Sequence, residues 1–140
     1  MALATKENIF NYIPQRDPIC LAHTIYECND QGIKTGFKVE SGHIFVSENK
    51  LTEAGIVENL AQSAAAQAGY LSVANNVPPK VGFIANIKDL KILKFPEVGS
   101  EIITQITIKT QVFNVTLIEA SSSVNNEAVA VCEMKIFLQE

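Results

Sequence analysis

Thr52-Glu53-Ala54-Gly55-Ile56-Val57-Glu58-Asn59-Leu60-Ala61-Gln62-Ser63-Ala64-Ala65-Ala66-Gln67-Ala68-Gly69-Tyr70-Leu71-Ser72-Val73-Ala74 is the one long helix the sequence offers. Thr52 is a good N-cap, because its hydroxyl can accept from a free first-turn amide. Glu53 places a negative charge in the first turn, where it favours the helix dipole. Asn75-Asn76-Val77-Pro78-Pro79 stops the run, which predicts a helix over 53–74. Val57, Leu60, Ala64 and Leu71 fall near one apolar stripe. The stripe carrying Glu58 holds Ala54, Gly55, Ala61, Gln62 and Ala65, most of them small. Small neighbours have two readings that do not exclude each other: close approach of a sheet to the helix, or room for a ligand beside Glu58. Glu58 itself is either a solvated helix carboxylate or the centre of a site.

Almost everything after the helix reads as strand. Val81 to Leu93 is rich in Val, Ile and Phe, and Phe95-Pro96-Glu97-Val98-Gly99-Ser100 is a turn. Glu101 to Asn114 alternates, with Ile102, Thr104, Ile106 and Ile108 on one face. Val115 to Val124 follows, Asn125-Asn126 is a tight turn, and Glu127 to Leu138 closes the run. Upstream of the helix, Lys6 to Tyr12 predicts a short helix ended by Pro14, and Ile19 to Glu27 a strand. Asn29-Asp30-Gln31-Gly32 has turn chemistry, and Ile33 to Val39 alternates again. Ser41 to Lys50 is a polar loop. A lone hairpin is not stable by itself. It must join the four-strand meander in one sheet, whose apolar face the helix covers. That is an α+β layer architecture.

At 140 residues the chain is long enough for one domain with one sizeable core. With 47% hydrophobic and 19% charged residues, the composition is globular. A net charge of −4 gives the whole chain no reason to bind nucleic acid or an anionic membrane. Cys20, Cys28 and Cys132 are odd in number and form no C-x-x-C pair, so they read as buried free thiols, with no disulfide framework and no zinc site. The first residues lack the apolar core of a secretion signal, and the alanine-rich stretch is too polar for a membrane span, which predicts a cytoplasmic protein. His23 reads as structural and Arg16 as an ion-pair partner. Lys88, Lys91 and Lys94 form a basic run, either a dock for an acidic partner or a guard on a strand edge.

Four segments in order carry a resemblance. They are Pro14-Gln15-Arg16-Asp17-Pro18-Ile19, Gly42-His43-Ile44, Gly55-Ile56-Val57-Glu58-Asn59-Leu60-Ala61-Gln62, and Phe83 to Ser100 with its Phe95-Pro96-Glu97-Val98-Gly99-Ser100 turn. With them the chain resembles the hot-dog-fold 3-hydroxyacyl-acyl-carrier-protein dehydratases over nearly its whole length. The resemblance implies a single hot-dog domain over 1–140, an antiparallel sheet wrapped around one long central helix. It implies subunits paired edge to edge as a homodimer or an oligomer of dimers, with sites at the interface. The substrate is then a 3-hydroxyacyl chain held on the phosphopantetheine of an acyl carrier protein, with no metal and no diffusible cofactor. Carried over by position, His43 is the base that removes the C2 proton, and Glu58 is the acid that protonates the departing hydroxyl. An apolar tunnel would raise the pKa of that acid. Ala54, Gly55, Ala61, Gln62 and Ala65 are candidate substrate-binding residues, and Gly55 offers a free amide to the thioester carbonyl. The chain departs from the pattern after His43, where Ile44-Phe45-Val46-Ser47 stands in place of the family's Phe-Pro-Gly. On the same fold an acyl thioesterase using Glu58, or a non-catalytic carrier-binding subunit, are the competing readings.

Overall fold

The computed structural model describes residues 1–78 and 82–138. Helix α1 spans Glu53–Ala74, with the Thr52 hydroxyl accepting from the Gly55 amide. The hairpin is β1 (Thr24–Asn29) and β2 (Gly32–Lys38). Asn29 Oδ1 accepts from the Gln31 amide at 2.8 Å and closes the turn. Ahead of α1 lies a small hairpin, β3 (Val46–Ser47) and β4 (Lys50–Leu51), which begins inside the stretch Ser41 to Lys50 expected to be plain loop. Beyond the helix come β5 (Gly82–Ile92), β6 (Glu101–Val112), β7 (Val115–Val124) and β8 (Glu127–Leu138). Asn125 and Asn126, at φ of 50° and 65°, make the tight β7–β8 turn.

Six strands form one antiparallel sheet in the order β1-β2-β6-β7-β8-β5. The hairpin joins the sheet as expected, through register pairs such as Ile33↔Ile106 and Phe37↔Ile102. The four-strand meander does not survive intact. β5 crosses over to pair with β8, so β6, β7 and β8 are consecutive and β5 becomes an outer strand. Pro79 and Val81 lie outside the described residues. The expected strand over Ile19 to Glu27 begins only at Thr24, because Ile19 and Leu21 give their backbone groups to helix side chains. Gln62 takes the Ile19 carbonyl and the Leu21 amide, and Asn59 takes the Leu21 carbonyl. The expected helix over Lys6 to Tyr12 contracts to a 3-10 turn, Ile9–Asn11. Arg16 closes it by donating to the carbonyls of Ile13 and Phe10 and stacking 4.7 Å over the Phe10 ring, in place of the expected ion pair.

The sheet folds round α1, and the helix face turned to it is partly polar. Ile56, Asn59, Leu60, Gln62, Ser63, Ala66 and Gln67 are buried, whereas Val57 and Leu71 of the expected stripe are only half-buried. Each buried polar group on this face has a partner, as burial demands. Thr104 donates to Asn59 Oδ1 at 2.7 Å, Ser63 and Thr35 share a hydroxyl–hydroxyl bond at 2.8 Å, and Gln67 donates to the Asn29 carbonyl at 3.0 Å. Apolar packing fills the rest. Leu60, Ile25, Ile33, Ile106, Ile118 and Met134 form one cluster, and Phe37, Leu51, Ile56, Ile102 and Val129 form another. At Gly69 a Cβ would run into the Tyr12 carbonyl, so glycine lets the N-terminal segment lie against the helix.

The two sheet edges differ. Along β1, the N-terminal residues lie alongside, with Ile25 bonded in both directions to Ala4. Among the described residues nothing pairs with the outer edge of β5, and Gly82 to Leu90 are exposed throughout, Phe83 to 55%.

Candidate active site

Between the small-residue stripe of α1 and the strands lies a cavity of about 640 Å³. Glu58, Ala61, Ala65 and Ala68 form its helix wall. Phe83, Ile106, Ile118 and Ile136 face them from β5, β6, β7 and β8, and Tyr12, Pro14 and Gln15 close one side. Alanine at three- and four-residue spacing leaves the volume that larger side chains would fill. The wall is therefore apolar apart from a few groups, which is the build of a small-molecule site.

Glu58 is half-buried. Its Oε1 accepts from Gln62 Nε2 at 3.1 Å, one turn along the helix. Gln62 is fully buried, and its own Oε1 accepts from the Leu21 amide at 2.6 Å. That bond sets the orientation of the amide group, since only oxygen can accept there. Nε2 must then be the donor towards Ile19 and Glu58. Gln15, which lines the cavity, was not anticipated; its Oε1 is itself buried, with no partner among the described residues. Its only sequence signal was a place in the Pro14-Gln15-Arg16 segment, which does not show where a side chain points.

Of the expected site residues, Glu58, Ala61 and Ala65 come together. Gln62 is behind the wall, with both ends of its amide used by the protein. Ala54 is exposed at the start of α1 and does not line the cavity. Gly55 is buried against Leu51 and Phe45, and its amide, expected to be free, is capped by Thr52 Oγ1 at 3.4 Å.

His43 lies outside this cavity's wall. Its ring is half-buried, stacked on Phe45 at 5.9 Å and edge-on to Phe37 at 5.5 Å. The Phe45 amide donates to Nδ1 at 3.1 Å, and Nε2 is 3.1 Å from the Cys20 carbonyl. An accepting Nδ1 puts the ring proton of the neutral tautomer on Nε2, which donates to Cys20. His23, on the other side of Phe37 at 4.6 Å, is held below the ordinary histidine pKa by burial and by Lys6.

The three cysteines are free. Burial pushes their thiols up, Cys28 to about 11, so at neutral pH they are not thiolate nucleophiles. Among the described residues no group of three or more His, Cys, Asp or Glu is placed to hold a metal ion. Of the basic run, Lys94 pairs with Glu127 at 2.6 Å, while Lys88 and Lys91 are exposed on β5. No helix among the described residues is long and apolar enough to cross a membrane.

The model of a family described as ApeP-like, ApeP dehydratase, matches residues 7–140. No curated protein matches the chain. Among solved structures, a chain of the ApeI:P dehydratase heterocomplex from Xenorhabdus doucetiae superposes with a TM-score of 0.84 at 14% identity, covering 94% of this chain and 91% of that one. A homologue of HP0420 from Helicobacter felis gives 0.73 at 14% identity, covering 94% and 99%. A hypothetical thioesterase with coenzyme A from Streptococcus pneumoniae gives 0.68 at 10% identity, covering 82% and 84%. The fold is the hot-dog fold, one long helix against an antiparallel sheet.

Proposed function

The chain belongs to the ApeP-like dehydratase family, and on that footing we propose that it dehydrates 3-hydroxyacyl thioesters carried on an acyl carrier protein, giving the trans-2-enoyl thioester. The observation that carries this reading is the Glu58 carboxylate on the wall of an apolar cavity large enough for an acyl chain. A base takes the proton from C2, the C2–H electron pair forms the C2=C3 bond, and the C3–O bond breaks. Glu58 gives its proton to the departing hydroxyl, which leaves as water. The phosphopantetheine arm enters from the carrier protein, for which exposed Lys88 and Lys91 offer positive charge.

The bare edge of β5 supports pairing with another hot-dog subunit, with the base supplied across that interface. In a homodimer only His43 of the second copy holds the family's base position, and it would have to leave the Cys20 carbonyl to act. In a mixed pair the base belongs to a different hot-dog chain. The two hydrogen bonds already made by His43 favour the mixed pair. So does the likeness to a chain of a dehydratase heterocomplex.

The test is turnover of 3-hydroxyacyl-carrier protein by the purified protein, alone and with a candidate partner subunit. Enoyl product is expected, and Glu58→Gln should lower its rate by about 100-fold or more. Thiol release with no enoyl product would mean a thioesterase. Saturable carrier binding with no turnover in either format would mean a carrier-binding subunit.

A further inference from the structure

We propose that His43 is a positioning residue in this chain, clamping the Cys20–Leu21 peptide and, through that peptide and Gln62, fixing the carboxylate of Glu58. The role towards Glu58 rests on the dehydratase reading; the clamp itself does not.

Both faces of one peptide unit are held. Its carbonyl, on Cys20, accepts from His43 Nε2 at 3.1 Å, and its amide, on Leu21, donates to Gln62 Oε1 at 2.6 Å. The unit is planar, so holding the carbonyl direction holds the amide direction. Gln62 then donates from Nε2 to Glu58 Oε1 at 3.1 Å. Donation runs the same way at every step, from the ring of His43 to the carboxylate of Glu58. In such a chain each bond polarises the next. Asn59 anchors the following carbonyl, that of Leu21, at 2.7 Å, so the segment cannot shift without breaking several buried bonds.

The local sequence explains why the ring is captured here. In the motif that Gly42-His43 resembles, proline stands two residues after the histidine, and proline has no N–H. In this chain that position is Phe45, whose amide occupies Nδ1. The Phe45 and Phe37 rings pack against the imidazole and resist its rotation. With Nδ1 accepting and Nε2 donating, the ring has no free lone pair for a C2 proton. The sequence has kept the family's histidine and changed its task.

The experiment has a spectroscopic arm and a kinetic arm. In ¹⁵N-labelled protein at pH 8, the His43 ring, assigned by its loss in His43→Gln, is expected to show an unprotonated Nδ1 and a directly observable, slowly exchanging Nε2–H. A ring N–H lost to solvent exchange overturns the clamp, whatever the activity. In the 3-hydroxyacyl-carrier-protein assay, with the partner subunit present, His43→Gln restores a donor to Cys20. It is expected to keep kcat within about tenfold of wild type and to retain the wild-type pH profile, while His43→Ala loses distinctly more. Equal losses of about 1,000-fold in both variants are the signature of a base and overturn the proposal. If the wild type shows no turnover in any format, the dehydratase reading fails and the spectrum alone decides the clamp.

Discussion

Gln62 Nε2 donates to Glu58 Oε1 at 3.1 Å across one turn of α1, while Gln62 Oε1 is held by the Leu21 amide. A buried glutamine thus aims a carboxylate from inside the core. Gln62→Leu keeps much of the volume but leaves the Leu21 amide and the Ile19 carbonyl without partners. Each unsatisfied buried group costs about 1–3 kcal/mol, so a loss of roughly 2–4 kcal/mol is expected in urea unfolding. A variant as stable as wild type would mean that this bridge contributes nothing.

Ala65 faces the cavity about two turns beyond Glu58. Ala65→Leu fills part of the volume without touching the acid. Long acyl chains should lose about tenfold or more in kcat/KM, and the shortest substrate little, since a single methylene in an apolar pocket is worth about 10- to 200-fold. Measuring kcat/KM against chain length checks this. A uniform loss would move the acyl chain to another place.

His23 gives stability a pH dependence with a definite sign. Burial holds its folded pKa below the ordinary histidine value, aided by Lys6 and His43 and opposed by Glu40 and Asp17. Above about pH 6.5 the ring is neutral in both states and contributes no slope. Below that, the unfolded chain takes up a proton that the folded chain refuses. Stability therefore falls with pH until the folded value is passed. Urea unfolding between about pH 5 and 8 should show this limb in wild type and a shallower one in His23→Gln.

Ile87 lies on β5, in the exposed stretch from Gly82 to Lys91. Under the proposed edge-to-edge pairing, Ile87→Lys puts a buried charge into the interface. Association should weaken by about 30-fold or more, the size of an interface hot spot. Light scattering over a dilution series reads it directly. An unchanged oligomer would place the interface elsewhere.

Much of the fold was legible because its signals are local. Thr52 and the Asn75-to-Pro79 stop bound α1, the alternation of Ile102, Thr104 and Ile106 in β6 is buried in step, and β2, β7 and β8 form where strands were expected. The place of β5 was not legible, because strand period says nothing about which neighbour a strand chooses. Nor was the irregular path of Ile19 to Leu21, whose backbone is satisfied by side chains of α1, far away in the sequence. For the same reason the core positions of Asn59, Ser63 and Gln67 had no signal of their own, and Gln62, expected to bind substrate, is a core residue. At the site, room for a ligand was one of two readings of the small residues beside Glu58, and Glu58, Ala61 and Ala65 do line a cavity. The capped amide of Gly55 and the occupied nitrogens of His43 depend on angles and distances that residue spacing does not carry.

The two edges of the sheet also decide how far assembly can go. Residues Leu3 and Ala4 bond to Ile25 and blunt the β1 side, so among the described residues β5 is the open edge. A subunit with a single open edge has a valence of one. Joining two such edges consumes both, so strand pairing closes at a pair and cannot propagate into a fibre. On the proposed pairing, the exposed β5 strand therefore need not become a template for endless addition.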